Sequence, residues 1–369
     1  MKTASTSVLA DQLRERIKLE GPITFHDWMM TALYDPANGY YCRSDRTKWG
    51  REGDYRTSPE RSSLFAATLG RYIARLYDDA GKPSSLTIVE FGAGDGRFAT
   101  ALLGAFENDY PHVFKATQYV IEEISSHSSS LARKRLLPFA DRVSFKSLPA
   151  VEADFGIVFS NELLDAFPVH RVTMQAGKLL EFYVTVSAEG EFDWTLDEPS
   201  TEQLAEYVAK IGVALGEGQV ADINLGIKPW FQKVLEWLPQ GFVITVDYGA
   251  ETNELHPGSS KDPRYFGTLR SFQRHNIMEN VLANPGEQDL TSTVNWSYVR
   301  QLGSEFGLRV VEFERQDKFL LAAGLLDQLE IESKRQTGEA AKLQLSNAAL
   351  EMILPTRMGA HFQVLVQQK

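Results

Sequence analysis

The stretch Val89-Glu90-Phe91-Gly92-Ala93-Gly94-Asp95-Gly96-Arg97, VEFGAGDGR, decides the fold. It joins an apolar run, LTIVEF (86–91), which reads as a buried strand, to a helical pattern over 98–106. Glycines at 92, 94 and 96 let the chain turn tightly and bring the amides at the helix start close to a ligand. The spacing then separates two ligand classes. A dinucleotide fingerprint, G-x-G-x-x-G, requires glycine at position 97, where this chain has Arg97. The pattern here is E-x-G-x-G-x-G, which has no need to cradle a pyrophosphate and puts an acid, Glu90, at the strand's end. That combination suits S-adenosylmethionine, with its cationic amino-acid end and neutral sugar. An acid closing the next strand would hold the ribose hydroxyls, each of which offers a donor. QYVIEEIS supplies Glu122 and Glu123, and strand alternation turns only one of them toward the ligand. Glu123 is favoured and Glu122 is the alternative. A tight turn without a ligand is the plainer reading, and the acids placed where the ligand needs them weigh against it.

Outward from that loop, strand-like and helix-like patterns alternate. Residues 118–124 read as a strand, 128–136 as a helix, and 143–145 (VSF) and 155–161 (FGIVFSN) as further strands. Continuous apolar strands separated by helices predict an α/β, mostly parallel sheet covered on both faces. After Pro168 the rhythm changes, and HRVTMQAGKLLEFYVTVSAEGEFDWTL predicts an antiparallel hairpin or meander. Residues 202–215, 227–237 and 296–306 read as helices, and 241–249 (GFVITVDYG), RVVEFERQ and HFQVLVQQK as strands. Upstream, 7–19, 24–33 and 64–77 are helical in pattern, with Thr24 as a cap, and 34–59 is loop-like. The expected organisation is an N-terminal helical and loop segment over 1–82, packing over the ligand site, and a core over 83–369. Helical insertions are expected near 200–238 and 250–295.

Polar residues close two of the buried strands. Asn161 and Glu162 end FGIVFSN, with Asp165 three positions on in SNELLDAFPVH (160–170), and Asp247-Tyr248-Gly249 ends GFVITV. In an open parallel sheet, ligands bind outside the carboxyl ends of the strands, so both polar ends would face one crevice. Methyl transfer from a sulfonium is an in-line displacement, which requires an aligned acceptor and excluded water. Two carboxylates so placed, Glu162 and Asp165, suit a cationic or amine acceptor. Each residue has a structural alternative: Asn161 as a helix N-cap, Glu162 as an acid favoured by a helix dipole, Asp165 as a surface acid. His170 is a lone histidine, more often a satisfied structural group than a base.

The bulk composition narrows the rest. The 369 residues are 43% hydrophobic and 24% charged, enough for a large core, and the net charge is -11 with no basic block, which argues against nucleic acid as a partner. Cys42 is the sole cysteine, so an internal disulfide and a cysteine-built zinc site are excluded, and no metal is expected. No apolar run reaches the ~18 residues of a membrane span. The start of the chain lacks a signal-peptide core and carries acids unusual in a transit peptide, so a cytoplasmic location is expected. A homodimer is compatible with the sequence.

PITFHDWMMTALYDPANGYY, GDYRTSPE, VEFGAGDGR, SNELLDAFPVHR, VDYG, GTLRSF, DLTSTVNW and LPTRMGAHFQVL occur in this order nearly end to end. Together they resemble the MidA-type class I methyltransferases, a family that includes the mitochondrial arginine methyltransferase of respiratory complex I assembly. The resemblance implies a seven-stranded Rossmann-like sheet, S-adenosyl-L-methionine as cofactor, and helical additions that wall the substrate site. It implies Gly92, Gly94 and Gly96 along the cofactor, Glu123 on the ribose, and Asp54 with Thr57 and Ser58 folding over the same pocket. The alternative for that last segment is an ordered loop whose Asp54 and Ser58 satisfy turn amides. His275, within GTLRSFQRHN, joins Asp247 and Tyr248 as a substrate-pocket residue. Ala93 and Ser126-His127 depart from the family pattern, which usually has proline there. The leading function is a protein arginine methyltransferase. A small-molecule O- or N-methyltransferase and a non-catalytic assembly factor are the competing readings, so the acceptor is a protein or a small molecule.

Overall fold

LTIVEF and GIVFSN are apolar at nearly every position because neither face of these strands meets water. The computed structural model describes residues 8–44, 63–148, 154–273, 276–354 and 361–369. Its central sheet contains β1 (Leu86–Phe91), β2 (Thr117–Glu122), β3 (Val143–Phe145), β4 (Gly156–Asn161), β5 (Gly241–Ala250), β6 (Arg309–Arg315) and β7 (Phe362–Gln368). Their spatial order is β3-β2-β1-β4-β5-β7-β6. The pairs among β1 to β5 are parallel, and β7 runs antiparallel to both β5 and β6. Val294–Asn295 extends the sheet by pairing beside the end of β5.

Alternation sends successive side chains of each strand to opposite cores. Ile88, Ile157, Phe159 and Ile244 pack beneath helices α3 (Ser63–Asp79) and α4 (Arg97–Asp109). Val89, Phe91, Val158 and Val243 pack against the helices Ile227–Trp237 and Trp296–Glu305. Phe98 of α4 stacks on Phe159 of β4 at a centroid distance of 4.1 Å. Sequence pattern located these helices to within three residues, and the mostly parallel α/β sheet is the one expected.

Four differences are informative. α3 belongs to the central core and not to a separate N-terminal segment over 1–82, since Leu64, Phe65, Leu69 and Ile73 bury against α4 and the sheet. The predicted hairpin is part of a larger antiparallel sheet: His170–Gln175, Lys178–Val186 and Phe192–Asp197 form the meander, and Val220–Ile223 and Ile23–Thr24 join its other edges. The predicted 202–215 helix ends early, at Lys210, just before Gly212 turns left-handed at φ 69°. The stretch 250–295 is not a helical insertion; it holds a one-turn helix, Thr252–Leu255, and a three-stranded antiparallel sheet of Arg270–Gln273, Asn276–Ile277 and Asp289–Thr291. Finally, helices Gln316–Ala322, Leu325–Arg335 and Glu339–Ile353 pack on α3 through Phe319, Leu320, Leu325, Ala349 and Met352. Their apolar residues are too diluted by Lys, Glu and Gln to signal a face from sequence.

Two N-terminal helices, α1 (Val8–Glu20) and α2 (Phe25–Tyr34) in chain order before α3, cover the antiparallel sheet. Thr24 caps α2, its hydroxyl accepting from Asp27 N at 3.1 Å. The core between them includes Leu13, Phe25, Trp28, Leu33, Val184 and Leu290. At the far end of α2 the Tyr34 hydroxyl donates to Ala166 O at 2.9 Å, so this layer rests on the segment that follows β4.

β4 and β5 start side by side through two glycines. Gly241 has φ 140°, and a Cβ there would lie 1.8 Å from Gly156 O. Gly241→Ala is therefore expected to lower unfolding stability by at least about 3 kcal/mol, measured by urea denaturation.

Candidate active site

Three glycines carry β1 into α4 with left-handed backbone, at φ 68° for Gly92, 55° for Gly94 and 78° for Gly96. A Cβ on Gly96 would lie 3.0 Å from the Ala132 Cβ, so the loop presses against the helix Ser126–Arg135. Asp95 fastens that contact through ion pairs to Arg97 at 3.0 Å and Arg135 at 2.8 Å. The two consecutive acids after β2 part company. Glu123 turns to the loop, its carboxylate accepting from Gly94 N at 2.9 Å and Ser125 N at 2.8 Å. Glu122 faces the opposite side, where it pairs with Lys233 and accepts from Leu148 N.

Glu90 lies beneath the same loop and is buried, accepting a hydrogen bond from the Tyr119 hydroxyl at 2.7 Å. Burial pushes its carboxyl up to about 8 against the lowering effect of Tyr119, and the charges of Glu123 and Asp95 add to the rise. A buried acid held neutral in this way is prepared to ionise when a cation arrives.

No helix follows β4, so Asn161 is not an N-cap and Glu162 owes nothing to a helix dipole. Glu162 adopts φ 51°, a left-handed conformation uncommon for a residue with a side chain, and its N–H donates to Val246 O at 2.9 Å. Asn161 donates from Nδ2 to Glu162 Oε1 at 2.9 Å, while its buried Oδ1 has no hydrogen-bond partner. Asp247 accepts from Leu164 N at 2.9 Å, Asp165 N at 3.3 Å and Tyr248 N at 2.9 Å. This corrects its expected place: Asp247 does not line the substrate pocket but lies fully buried beneath it and ties the turn after β4 to the end of β5. Burial, followed by the Glu162 charge, raises its carboxyl to about 8. Asp165 is also buried, and its Oδ1 has no hydrogen-bond partner. Burial, then Asp247, pushes its carboxyl well above the ordinary range.

These residues border two adjoining cavities. The first is lined by Glu90, Gly92, Gly94, Glu123 and Asn161 and roofed by Tyr34. The second, about 700 Å³, is lined by Asp165, Tyr248, Asp289 and Phe272 and also by Arg264 and Arg270. Glu162 and Tyr41 border both. An apolar groove past Ile124 and Leu163, walled by Phe91 and Trp230, continues from the first cavity. The expected residues Asp54, Thr57, Ser58 and His275 lie outside the described residues. His170 stands apart in the antiparallel sheet, bonded to Glu181 at 2.7 Å and stacked on His26. Tyr34, Tyr41, Ile124, Leu163 and Asp289 were not singled out from sequence. Tyr41 and Asp289 do fall inside the quoted segments DPANGYY and DLTSTVNW, which was the signal available. Among the described residues no cluster of His, Cys, Asp and Glu is disposed to hold a metal.

The sheet order, with its antiparallel seventh strand and a glycine loop at the end of the central strand, defines a class I methyltransferase. Comparison with known proteins agrees. The family model described as S-adenosyl-L-methionine-dependent methyltransferase matches residues 68–314. A crystal structure of a superfamily relative from Burkholderia thailandensis, bound to S-adenosyl-homocysteine, superposes with a TM-score of 0.85 at 30% identity, covering 98% of this chain and 92% of that one. The mitochondrial protein arginine methyltransferase NDUFAF7 of Xenopus tropicalis is 24% identical across 98% of this chain and 86% of its own length. Its mouse counterpart is 27% identical across 95% and 82%. The chain belongs to the MidA-type family of S-adenosylmethionine-dependent methyltransferases.

The residues present fit S-adenosylmethionine: glycines without side chains at the loop, buried Glu90 for a cationic amine, Glu123 beside it, and an apolar groove for a flat base. Glu90 and Asp247 also set a pH dependence. Folded, each keeps a proton that the unfolded chain releases near its ordinary value, 4.5 or 3.8, so stability falls as pH rises from there toward about 8. The slope is up to about 1.4 kcal/mol per pH unit for each group. Urea denaturation between pH 5 and 9 is expected to show this decline, and Glu90→Gln to flatten it.

Proposed function

We propose that this methyltransferase acts on a guanidinium nitrogen of an arginine side chain in a protein. The observation that carries the reading is the acid-rich second cavity: Glu162, Asp165 and Asp289 line it, and Glu162 also borders the cofactor cavity. The curated relatives named protein arginine methyltransferases support the same acceptor class.

When bound, S-adenosylmethionine supplies a methyl group made electrophilic by its sulfonium. Gly92, Gly94 and Gly96 would leave room for it, Glu90 and Glu123 would hold its polar ends, and Ile124 and Leu163 would flank its base. Glu162 and Asp165 take the two edges of the planar guanidinium fork, which fixes its orientation and draws its charge away from the nitrogen that faces the first cavity. Asp165 meets the incoming cation with a carboxyl whose proton is held by burial, and releases that proton as the pair forms. The proton shed by the methylated nitrogen passes to Glu162 and from there to solvent along the second cavity. Tyr34 and Leu163, which line both the first cavity and the apolar groove, shield the cofactor side from water.

The word mitochondrial belongs to the curated relatives. A cytoplasmic location for this chain is part of the proposal, resting on its single cysteine, which suits a reducing compartment.

Incubation of a native lysate with the enzyme and S-adenosylmethionine labelled in the methyl group, followed by mass spectrometry, tests the reading. Label on arginine in a protein is expected; label confined to small molecules would replace it with the small-molecule alternative. Glu162→Gln is expected to keep S-adenosylhomocysteine affinity within about twofold by calorimetry while lowering methyl transfer by about 100-fold or more. Gly94→Val, which puts a branched side chain on a left-handed residue inside the cofactor cavity, is expected to abolish that binding.

A further inference from the structure

The strand Arg270–Gln273 pairs antiparallel with Asp289–Thr291, and the register sets Arg270 opposite Thr291, Ser271 opposite Leu290 and Phe272 opposite Asp289. Alternation gives this short sheet two faces. Ser271 and Leu290 are fully buried, Leu290 within the N-terminal core. Arg270 and Phe272 turn the other way and line the second cavity together with Asp289. The charges around that cavity differ in how far the protein already answers them. Asp289 accepts from the Tyr41 hydroxyl at 2.6 Å. Arg264 donates to both oxygens of Asp262, at 3.1 and 2.7 Å, and Glu254 accepts from Glu251 N at 3.1 Å. The Arg270 guanidinium is exposed and makes no hydrogen bond or ion pair with another described residue. Its planar fork of donors matches a carboxylate bidentately. At about 700 Å³ the cavity has the size of a pocket for a whole small ligand, roughly 300–1,000 Å³, and holds more than one guanidinium. Arg270 lies diagonally across from Asp289, roughly 7–8 Å away by strand geometry. In an extended peptide, side chains two residues apart share one side and stand about 7 Å apart.

We propose that Arg270 is a specificity-determining residue that receives a carboxylate of the acceptor protein, carried by an acidic side chain two positions from the target arginine. The inference rests on the arginine reading and deepens it, from any arginine in a protein to one flanked by acid. The substrate then brings both charges to one cavity, its guanidinium to the acids and its carboxylate to Arg270. Segments in which lysine or arginine flanks the target meet Arg270 with like charge and are turned away.

The test uses the full chain saturated with S-adenosylhomocysteine and titrated in a calorimeter with two peptides, acetyl-Glu-Gly-Arg-Gly-Glu-amide and its twin with glutamine in place of both glutamates. The acidic peptide is expected to bind about fivefold tighter than the neutral one. Arg270→Gln is expected to erase that difference by weakening the acidic peptide alone, with S-adenosylhomocysteine affinity kept within twofold. A packing role for Arg270 would instead weaken both peptides together, which would overturn the inference. Equal binding of the two peptides by the natural chain would overturn the inference and leave the arginine reading standing. Natural protein that binds S-adenosylhomocysteine but neither peptide would overturn both. A preference for N-acetyl-arginine over its amide, with none between the pentapeptides, would assign the carboxylate to a chain terminus and overturn the flanking acid. Should Arg270→Gln fail to bind S-adenosylhomocysteine, Arg270→Lys decides: it is expected to keep a preference for the acidic peptide, and equal binding counts against the proposal.

Discussion

The Asp247 carboxylate, receiving three backbone N–H groups from Leu164, Asp165 and Tyr248, is the constraint on which the site depends. It stitches the end of β5 to the turn after β4, and the turn in turn holds Glu162 in its left-handed conformation. Without that anchor the segment Glu162–Ala166 has no helix or strand to define it. A charge-capable group that satisfies amides in a buried turn stiffens the backbone far more than an exposed one would. The acids proposed to meet the acceptor are therefore held by a residue that lies beneath the cavity.

Acids dominate this region, and their crowding has a sign. Glu90, Asp165 and Asp247 are all raised by burial first and then by neighbouring acids: Glu123 and Asp95 for Glu90, Asp247 for Asp165, and Glu162 for Asp247. Like charges in a dry space cannot all ionise, so the empty site keeps protons that a cation displaces. Both proposed ligands, a sulfonium amino acid and a guanidinium, carry the charge that relieves this crowding. Neutral competitors of the same shape offer no such relief, which is how an acid-rich site selects without needing a close steric fit.

Much of this was legible in the sequence, for physical reasons. The glycine spacing and the continuous apolar strands reported a buried parallel sheet with a ligand loop, because both follow from local backbone and burial rules. Alternation was enough to separate Glu123 from Glu122, whose side chains now face the Gly94 amide and Lys233. Asp247 was misplaced because a polar strand end looks alike whether it faces a ligand or backbone amides. Tyr41 and Asp289 escaped notice because their meeting depends on how the N-terminal layer docks, which no short-range pattern encodes. The helices over 316–353 were missed because their amphipathic signal is weak, and the 250–295 excursion was read as helical although its short strands pair only through tertiary contact.

β7 occupies an interior slot of the sheet, between β5 and β6, and its Gln363 accepts from both Gly249 N and Trp296 Nε1. A ribosome delivers β5 and β6 first, and the gap between them stays unfilled until the three helices after β6 have also emerged. During synthesis two strand edges stand exposed to neighbouring chains, and the wall of the acceptor cavity that Phe362 and Gln363 supply does not yet exist. The strand that fills the last interior slot of the sheet is thus also the one that completes this cavity.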